Sequence, residues 1–121
     1  MKYMLLIYED QAAYATSSEE QQHALFASYM KFTEELRASG RLVAGDALQP
    51  SMTATTVRVE NSKRVSTDGP YAETKEQLAG YYIVQVKDIE EATAIADEIC
   101  RLHTWNRVAL EVRPVMEIGG E

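Results

Sequence analysis

Cysteine is almost missing from this sequence: a single residue, Cys100, stands among 121. One cysteine forms no internal disulfide, which fits a reducing compartment. A catalytic thiol wants a nearby base and an exposed, electropositive setting. Cys100 instead falls beside Ile99 on the expected inner side of a helix and reads as a buried structural thiol. Histidine is equally scarce, with only His23 and His103. Neither stands with cysteines or clustered carboxylates at ligand spacing, so no metal site and no cofactor are expected. Positive charge is short too: 12 Lys and Arg face 19 Asp and Glu, a net charge of −7. That excludes the basic face a nucleic-acid binder needs and disfavours anionic membrane surfaces. Small basic pockets stay open, because net charge speaks to solubility and not to sites. No apolar run approaches the roughly 20 residues that span a bilayer. The N-terminal MKYMLLIYED turns acidic after a short apolar run and lacks a small-residue cleavage site, so a first strand in a cytoplasmic protein is expected rather than a signal peptide. Glycine-rich phosphate loops, G-x-S-x-G elbows, repeats, low-complexity segments and long linkers are all missing, and the length fits one domain over residues 1–121.

What is present is a regular alternation of periodicities. Lys2 to Tyr8 is apolar on both rows, Tyr3/Leu5/Ile7 and Met4/Leu6/Tyr8, so both faces of that strand need a cover. Gln11 to Thr16 reads as a loop. Ser17 with Glu20 reads as a capping box opening a helix of about 22 residues that ends at Gly40. Its stripe is Leu25, Tyr29, Phe32 and Leu36, widened by Phe26, Met30 and Thr33. Arg41 to Leu48 is a strand whose Gly45 hints at a bulge or a close backbone approach. Thr55 to Glu60 and Arg64 to Thr67 form a hairpin about Asn61-Ser62-Lys63. Gly80 to Lys87 follows as a strand with rows Tyr82/Val84/Val86 and Tyr81/Ile83/Gln85. Asp88 and Glu91 cap a second helix, with Ile89, Ala92, Ala96, Ile99 and His103 on its apolar face, widened by Ile95 and Leu102. Trp105 is expected at a helix end, Arg107 to Val115 alternates as a last strand, and Gly119-Gly120-Glu121 is expected to fray. The string β-α-β-(β-β)-β-α-β points to an α+β fold, a ferredoxin-like split βαβ with an inserted β-hairpin. Helices would cover one sheet face. The other carries apolar rows such as Tyr81/Ile83, and its simplest cover is a second copy, giving a homodimer built as a dimeric α/β barrel.

The least ordinary turn is Asp68-Gly69-Pro70-Tyr71, inside the run TDGPYAETKEQLAGYYIVQV. That run resembles the signature of the DGPF-domain branch of the YCII-related family, with Tyr71 where phenylalanine is usual. KYMLLIYED, EELRASGRLVAGDAL, TTVRVE and VALEVRPV extend the resemblance over nearly the whole chain. The resemblance implies a ferredoxin-like dimeric α/β barrel. It also implies, for some members, a His-Asp pair working in a barrel cleft; a relative removes chloride from a chlorinated hydroquinone. DGPF proteins often accompany extracytoplasmic-function sigma factors, so a sigma-factor partner is implied as well. The family histidine on the first helix belongs near Tyr29, where this sequence has none, and His23 lies about two turns earlier. Asp68 stands where the acidic partner is expected.

The residues themselves leave alternatives. Asp68-Gly69-Pro70 reads either as a turn, with Asp68 bonding amides ahead of it, or as a cleft-facing carboxylate that acts as a general base if burial raises its pKa. Glu73, Lys75 and Glu76 read as a solvated charged loop, or Glu73 or Lys75 reaches over the pocket as a lid that binds a polar ligand. Tyr81, Gln85, Glu111 and Arg113 make either a polar patch in an apolar cavity or a plain exposed or interface salt bridge. His103 reads as a satisfied core or cap residue. Two functions follow. The first is a module that binds an unknown small molecule through Gly69, Pro70, Tyr71, Glu73, Tyr81, Gln85 and Arg113, possessing an accessory role in sigma-factor-dependent transcription. The second is a cofactor-independent enzyme for proton transfer or elimination, with Asp68 as acid/base and Tyr81 or Arg113 orienting the substrate.

Overall fold

The computed structural model describes residues 1–118; the expected frayed end, Gly119-Gly120-Glu121, lies outside them. The elements in order are β1 (Lys2–Asp10), α1 (Gln11–Ala15), α2 (Glu19–Ala38), β2 (Leu42–Ala47), a 3-10 turn (Ser51–Thr53), β3 (Thr55–Glu60), β4 (Lys63–Asp68), β5 (Glu76–Gln85), α3 (Ile89–Leu102) and β6 (Val108–Pro114). Strands β2-β5-β1-β6 form one sheet in that order, with every neighbouring pair antiparallel. This is a mixed α+β arrangement consistent with the ferredoxin-like plan, and β3-β4 is the inserted hairpin, a separate two-stranded sheet.

The inward rows of the strands are those that alternation assigns. Tyr3, Leu5 and Ile7 of β1 and Tyr82, Val84 and the adjoining Val86 of β5 pack against Phe32 and Leu36 of α2 and Ala92, Ile95 and Ile99 of α3. Leu5, Val84, Ile95 and Ile99 are the largest side chains wholly removed from solvent. Burying each contributes about 1.5–3 kcal/mol. The opposite row carries Met4, Leu6, Tyr8, Tyr81 and Ile83, with no helix over it; each of these is half-exposed.

Several expectations need correction. Gln11 to Thr16 is not a loop: its first five residues form α1, capped by the Asp10 carboxylate accepting from Ala13 N at 3.1 Å. The capping box of α2 belongs to Ser18 and Gln21, one residue beyond Ser17 and Glu20. Both serine-x-x-acceptor readings fit locally; Ser17 is taken, its hydroxyl donating to the Tyr14 carbonyl at 2.5 Å to close α1. Phe26 and Met30 do not widen the buried stripe but stand 66% and 58% exposed. Ile89 is likewise exposed, and Cys100 is half-buried rather than buried. Strand β5 starts at Glu76, four residues before Gly80, because Glu76 and Gln77 pair with Asp10 and Glu9.

Glycine does specific work in β2. A Cβ on Gly45 would come within 2.7 Å of Tyr82 Cδ1 and 3.1 Å of the Tyr81 carbonyl, the close approach its place in a strand suggested. A register shift falls just before it, between Leu42 and Ala44. The hairpin turns on two residues, Asn61 and Ser62, both with positive φ (51° and 65°), and Lys63 already pairs with Glu60. Positive φ at both central positions suits the right-handed twist of a two-residue hairpin.

Candidate functional site

Beyond β4 the chain crosses to β5 through residues 69–75, and this connection faces the start of α1. Together with the 3-10 turn they enclose a cleft of about 650 Å³, open to solvent, lined by Asp10, Gln11, Ala12, Ser51, Met52, Asp68, Gly69, Pro70, Glu73, Thr74, Lys75 and Gln77. Local chemistry builds its walls. Gly69 has φ of 111°, a conformation that costs a side-chain-bearing residue dearly. Its N–H donates to the Ala54 carbonyl at 2.7 Å, and its carbonyl accepts from Thr56 Oγ1 at 2.9 Å, so the turn is sewn onto the hairpin. The Gln77 amide donates to the Thr74 and Ala72 carbonyls at 2.8 and 3.2 Å and folds the connection back on itself. Gln11 Oε1 accepts from Ser51 N at 3.0 Å, joining α1 to the 3-10 turn.

The polar groups are therefore divided. Asp10, Gln11, Thr74 and Gln77 are engaged in holding the walls. The side chains of Asp68, Glu73 and Lys75 make no hydrogen bond or ion pair among the described residues. The local-turn reading of Asp68 required its carboxylate to bond amides ahead of it. No such bond forms, and the carboxylate is presented to the cleft unpartnered. Tyr71 leaves the cleft: it is 78% exposed and lies under the Arg58 guanidinium, 5.2 Å from the ring centroid.

Tyr81, Gln85 and Arg113 lie elsewhere. The register sets Tyr81 and Glu111 both opposite Leu6, Gln85 opposite Lys2 and Arg113 opposite Met4, so all four share the helix-free face with the apolar row. They make a polar patch there, as alternation suggested, but none of them lines the cleft. Arg113 pairs with Glu111 on its own strand. The Tyr81 hydroxyl donates to Asp46 Oδ2 at 2.9 Å, and that bond pushes its ionisation above the ordinary phenol value. Asp46 escaped the sequence reading because nothing local ties it to a tyrosine 35 residues away.

A second polar group was also out of sight in the sequence. His103 caps the end of α3, as a satisfied core or cap residue does, and its side chain is 1% exposed. Its Nδ1 meets Asn106 Oδ1 at 3.0 Å, and its Nε2 meets the Tyr29 hydroxyl at 2.5 Å. Asn106 Nδ2 donates to Glu9 Oε2 at 3.1 Å. The residue at the place expected for a helix-borne histidine is thus a tyrosine in contact with a histidine from the other helix. Burial pushes the His103 imidazole below its ordinary value, opposed by its bond to Asn106. Burial likewise raises Glu9, opposed by Asn106, and raises Tyr29, helped by the charge of Glu9. Among the described residues no three His, Cys, Asp or Glu side chains gather as a metal-binding group, and no helix is long and apolar enough to cross a membrane.

Two comparisons bear on this architecture. The model of the YCII-related domain matches residues 1–118. An uncharacterized protein of Rhizobium meliloti (strain 1021) is 29% identical over 115 residues, covering 95% of this chain and 92% of that protein. With the match spanning β1 through β6 and the cleft between them, the chain belongs to the YCII-related family.

Proposed function

We propose that this protein, of the DGPF branch of its family, binds a small molecule in the cleft beside Asp68. The observation that carries this reading is the Asp68 carboxylate, unpartnered at the edge of a cleft whose Gln11 and Gln77 side chains are tied into the walls. An acceptor left free there suits a ligand that presents a hydrogen-bond donor or a cation, and the balance of Asp10, Asp68 and Glu73 against Lys75 favours the same class. Glu73 and Lys75, equally free, sit on the connection over the cleft and serve as its adjustable rim. Two copies pair through their helix-free faces into a dimeric α/β barrel, which covers Met4, Leu6, Tyr8 and Ile83 and brings Tyr81, Gln85 and Arg113 inside the assembly.

The test is thermal unfolding against a panel of small amines, guanidines and hydroxylated aromatic compounds. A hit present at about 100 times its Kd stabilises the fold by about 2.7 kcal/mol. Asp68→Asn removes that stabilisation. The unliganded variant melts within about 2 °C of wild type, since an exposed, unbonded carboxylate contributes within about 0.5 kcal/mol. A ligand shift that survives Asp68→Asn refutes the role of Asp68. A large fall in unliganded stability returns it to a turn residue.

A second reading, acid/base catalysis by Asp68, is supported by the same free and accessible carboxylate. It lacks the partner imidazole, because His103 is sealed in its own hydrogen-bonded group. Binding without turnover is therefore the preferred function.

A further inference from the structure

The hydrogen bonds among Tyr29, His103, Asn106 and Glu9 have only one consistent direction. An ionised Glu9 only accepts, so Asn106 gives it the amide and turns its carbonyl toward the ring. His103 must then carry its proton on Nδ1, which leaves Nε2 to accept from the Tyr29 hydroxyl. No buried polar side-chain atom among the described residues is left without a partner. The segment that follows His103 also holds α1. Trp105 stacks on Tyr14, with centroids 6.1 Å apart, and the Arg107 carbonyl accepts from Asp10 N at 3.0 Å. Asp10 and Gln11 are cleft walls.

We propose that the chain Tyr29–His103–Asn106–Glu9 is a proton-controlled tether that holds the α1 wall of the cleft while the imidazole is neutral and loosens it when the ring is protonated. Its effect on ligand binding rests on the reading above; the tether itself does not. A proton on Nε2 removes the acceptor of the Tyr29 hydroxyl, which must turn and leave its own proton unbonded. The titratable groups facing the ring are Glu9 from β1 and Tyr29 from α2; Tyr82 from β5 and Cys100 from α3 face Tyr29 in turn. Among the described residues Glu9 is the only anion in reach, and its Oε2 lies 3.8 Å from Nδ1, beyond a hydrogen bond. Direct pairing of imidazolium with Glu9 pulls both ends of the Asn106 amide off their partners. Either response moves the 103–107 segment on which α1 leans. The sign is that of a buried neutral histidine: the penalty is absent above the ordinary histidine range and grows as pH falls through it.

Trp105, the one tryptophan, reports on this segment without any ligand. Its emission in the full chain, followed from pH 8 downward, should show a transition with a midpoint below about 6.5, the ordinary histidine value. Far-UV circular dichroism should stay constant across it, and the His103 ring resonances should titrate with the same midpoint. His103→Gln should abolish the transition. Tyr29→Phe should move the midpoint up toward the ordinary value, because the neutral ring loses the donor that favours it. The proposal is overturned if wild type shows no transition, or if His103 titrates without a change at Trp105. It is also overturned if the transition persists in His103→Gln, which would assign it to Glu9. Should His103→Gln fail to fold, an unmoved midpoint in Tyr29→Phe overturns it equally. None of these readouts involves a ligand, so a failure here is distinct from a failure at Asp68.

Discussion

Replacing Gly45 by alanine tests the packing of β2 against the core most directly. The added Cβ stands 2.7 Å from Tyr82 Cδ1, 3.1 Å from the Tyr81 carbonyl and 3.2 Å from Tyr82 Cε1. The Tyr82 ring has nowhere to go. It is 7% exposed, meets Phe32 edge-on at 5.9 Å, and its hydroxyl is bonded to Thr33 at 2.5 Å. The alternative is for β2 to draw back from β5 and lose ladder bonds next to the register shift. Overpacking of this kind costs about 1–3 kcal/mol. Alanine returns about 0.4–1 kcal/mol by restricting the unfolded chain. Around the middle of these ranges the net loss is about 1–2 kcal/mol, and at the entropy of unfolding expected for this length each kcal/mol lowers Tm by about 4 °C. Thermal unfolding followed by circular dichroism should therefore place Gly45→Ala about 4–8 °C below wild type. A cycle with Tyr82→Leu, which removes the ring edge, should show a favourable coupling of about 1 kcal/mol between the two changes. A Gly45→Ala protein that melts at or above wild type would refute the argument, since it would mean that β2 has room against β5.

The pairing of helix-free faces predicts a particle of about twice 13.6 kDa in sedimentation equilibrium, reduced to the single-chain mass by Ile83→Arg; a wild-type chain that sediments singly sinks the sheet-on-sheet arrangement. Asp46→Asn should let one phenol ionise at lower pH, because the carboxylate that holds the Tyr81 proton is gone. Ultraviolet difference titration between wild type and variant reads this, and identical curves would show that the Tyr81–Asp46 bond does not persist in solution.

Periodicity carried most of the fold, and the exceptions are instructive. The rows of β1 and β5 and the stripe of α3 were legible because burial on one side imposes a period of two or of 3.6 residues. The cap of α3 was legible because Asp88 bonds an amide three residues ahead, to Glu91 N at 2.9 Å. Its partner half was less so: Glu91 reaches back to Lys87 N rather than to Asp88. Helix α1 was missed because five residues make a poor helix alone; the Asp10 cap and the stack of Tyr14 on Trp105 hold it. Phe26 and Met30 look like core by spacing, yet α3 covers only part of the helix surface and leaves them exposed. The apolar pattern states which residues are able to face a core and not how wide the cover is.

By itself the sequence determined the order of the six strands and the two long helices, the inward rows of β1 and β5 and the turn at Asp68-Gly69-Pro70. Each of these is a matter of neighbours within a few residues, where backbone geometry and periodicity are strong. Only the tertiary structure decided that the Asp68 carboxylate stays free while Gln77 and Gln11 tie the walls around it. It alone separated Tyr81, Gln85 and Arg113 from that cleft, and joined Glu9, Tyr29, His103 and Asn106 across 74 and 97 residues of chain. Side-chain partnership at such separations depends on how helices and strands are laid over one another. No local signal in the chain encodes which buried donor will meet which acceptor.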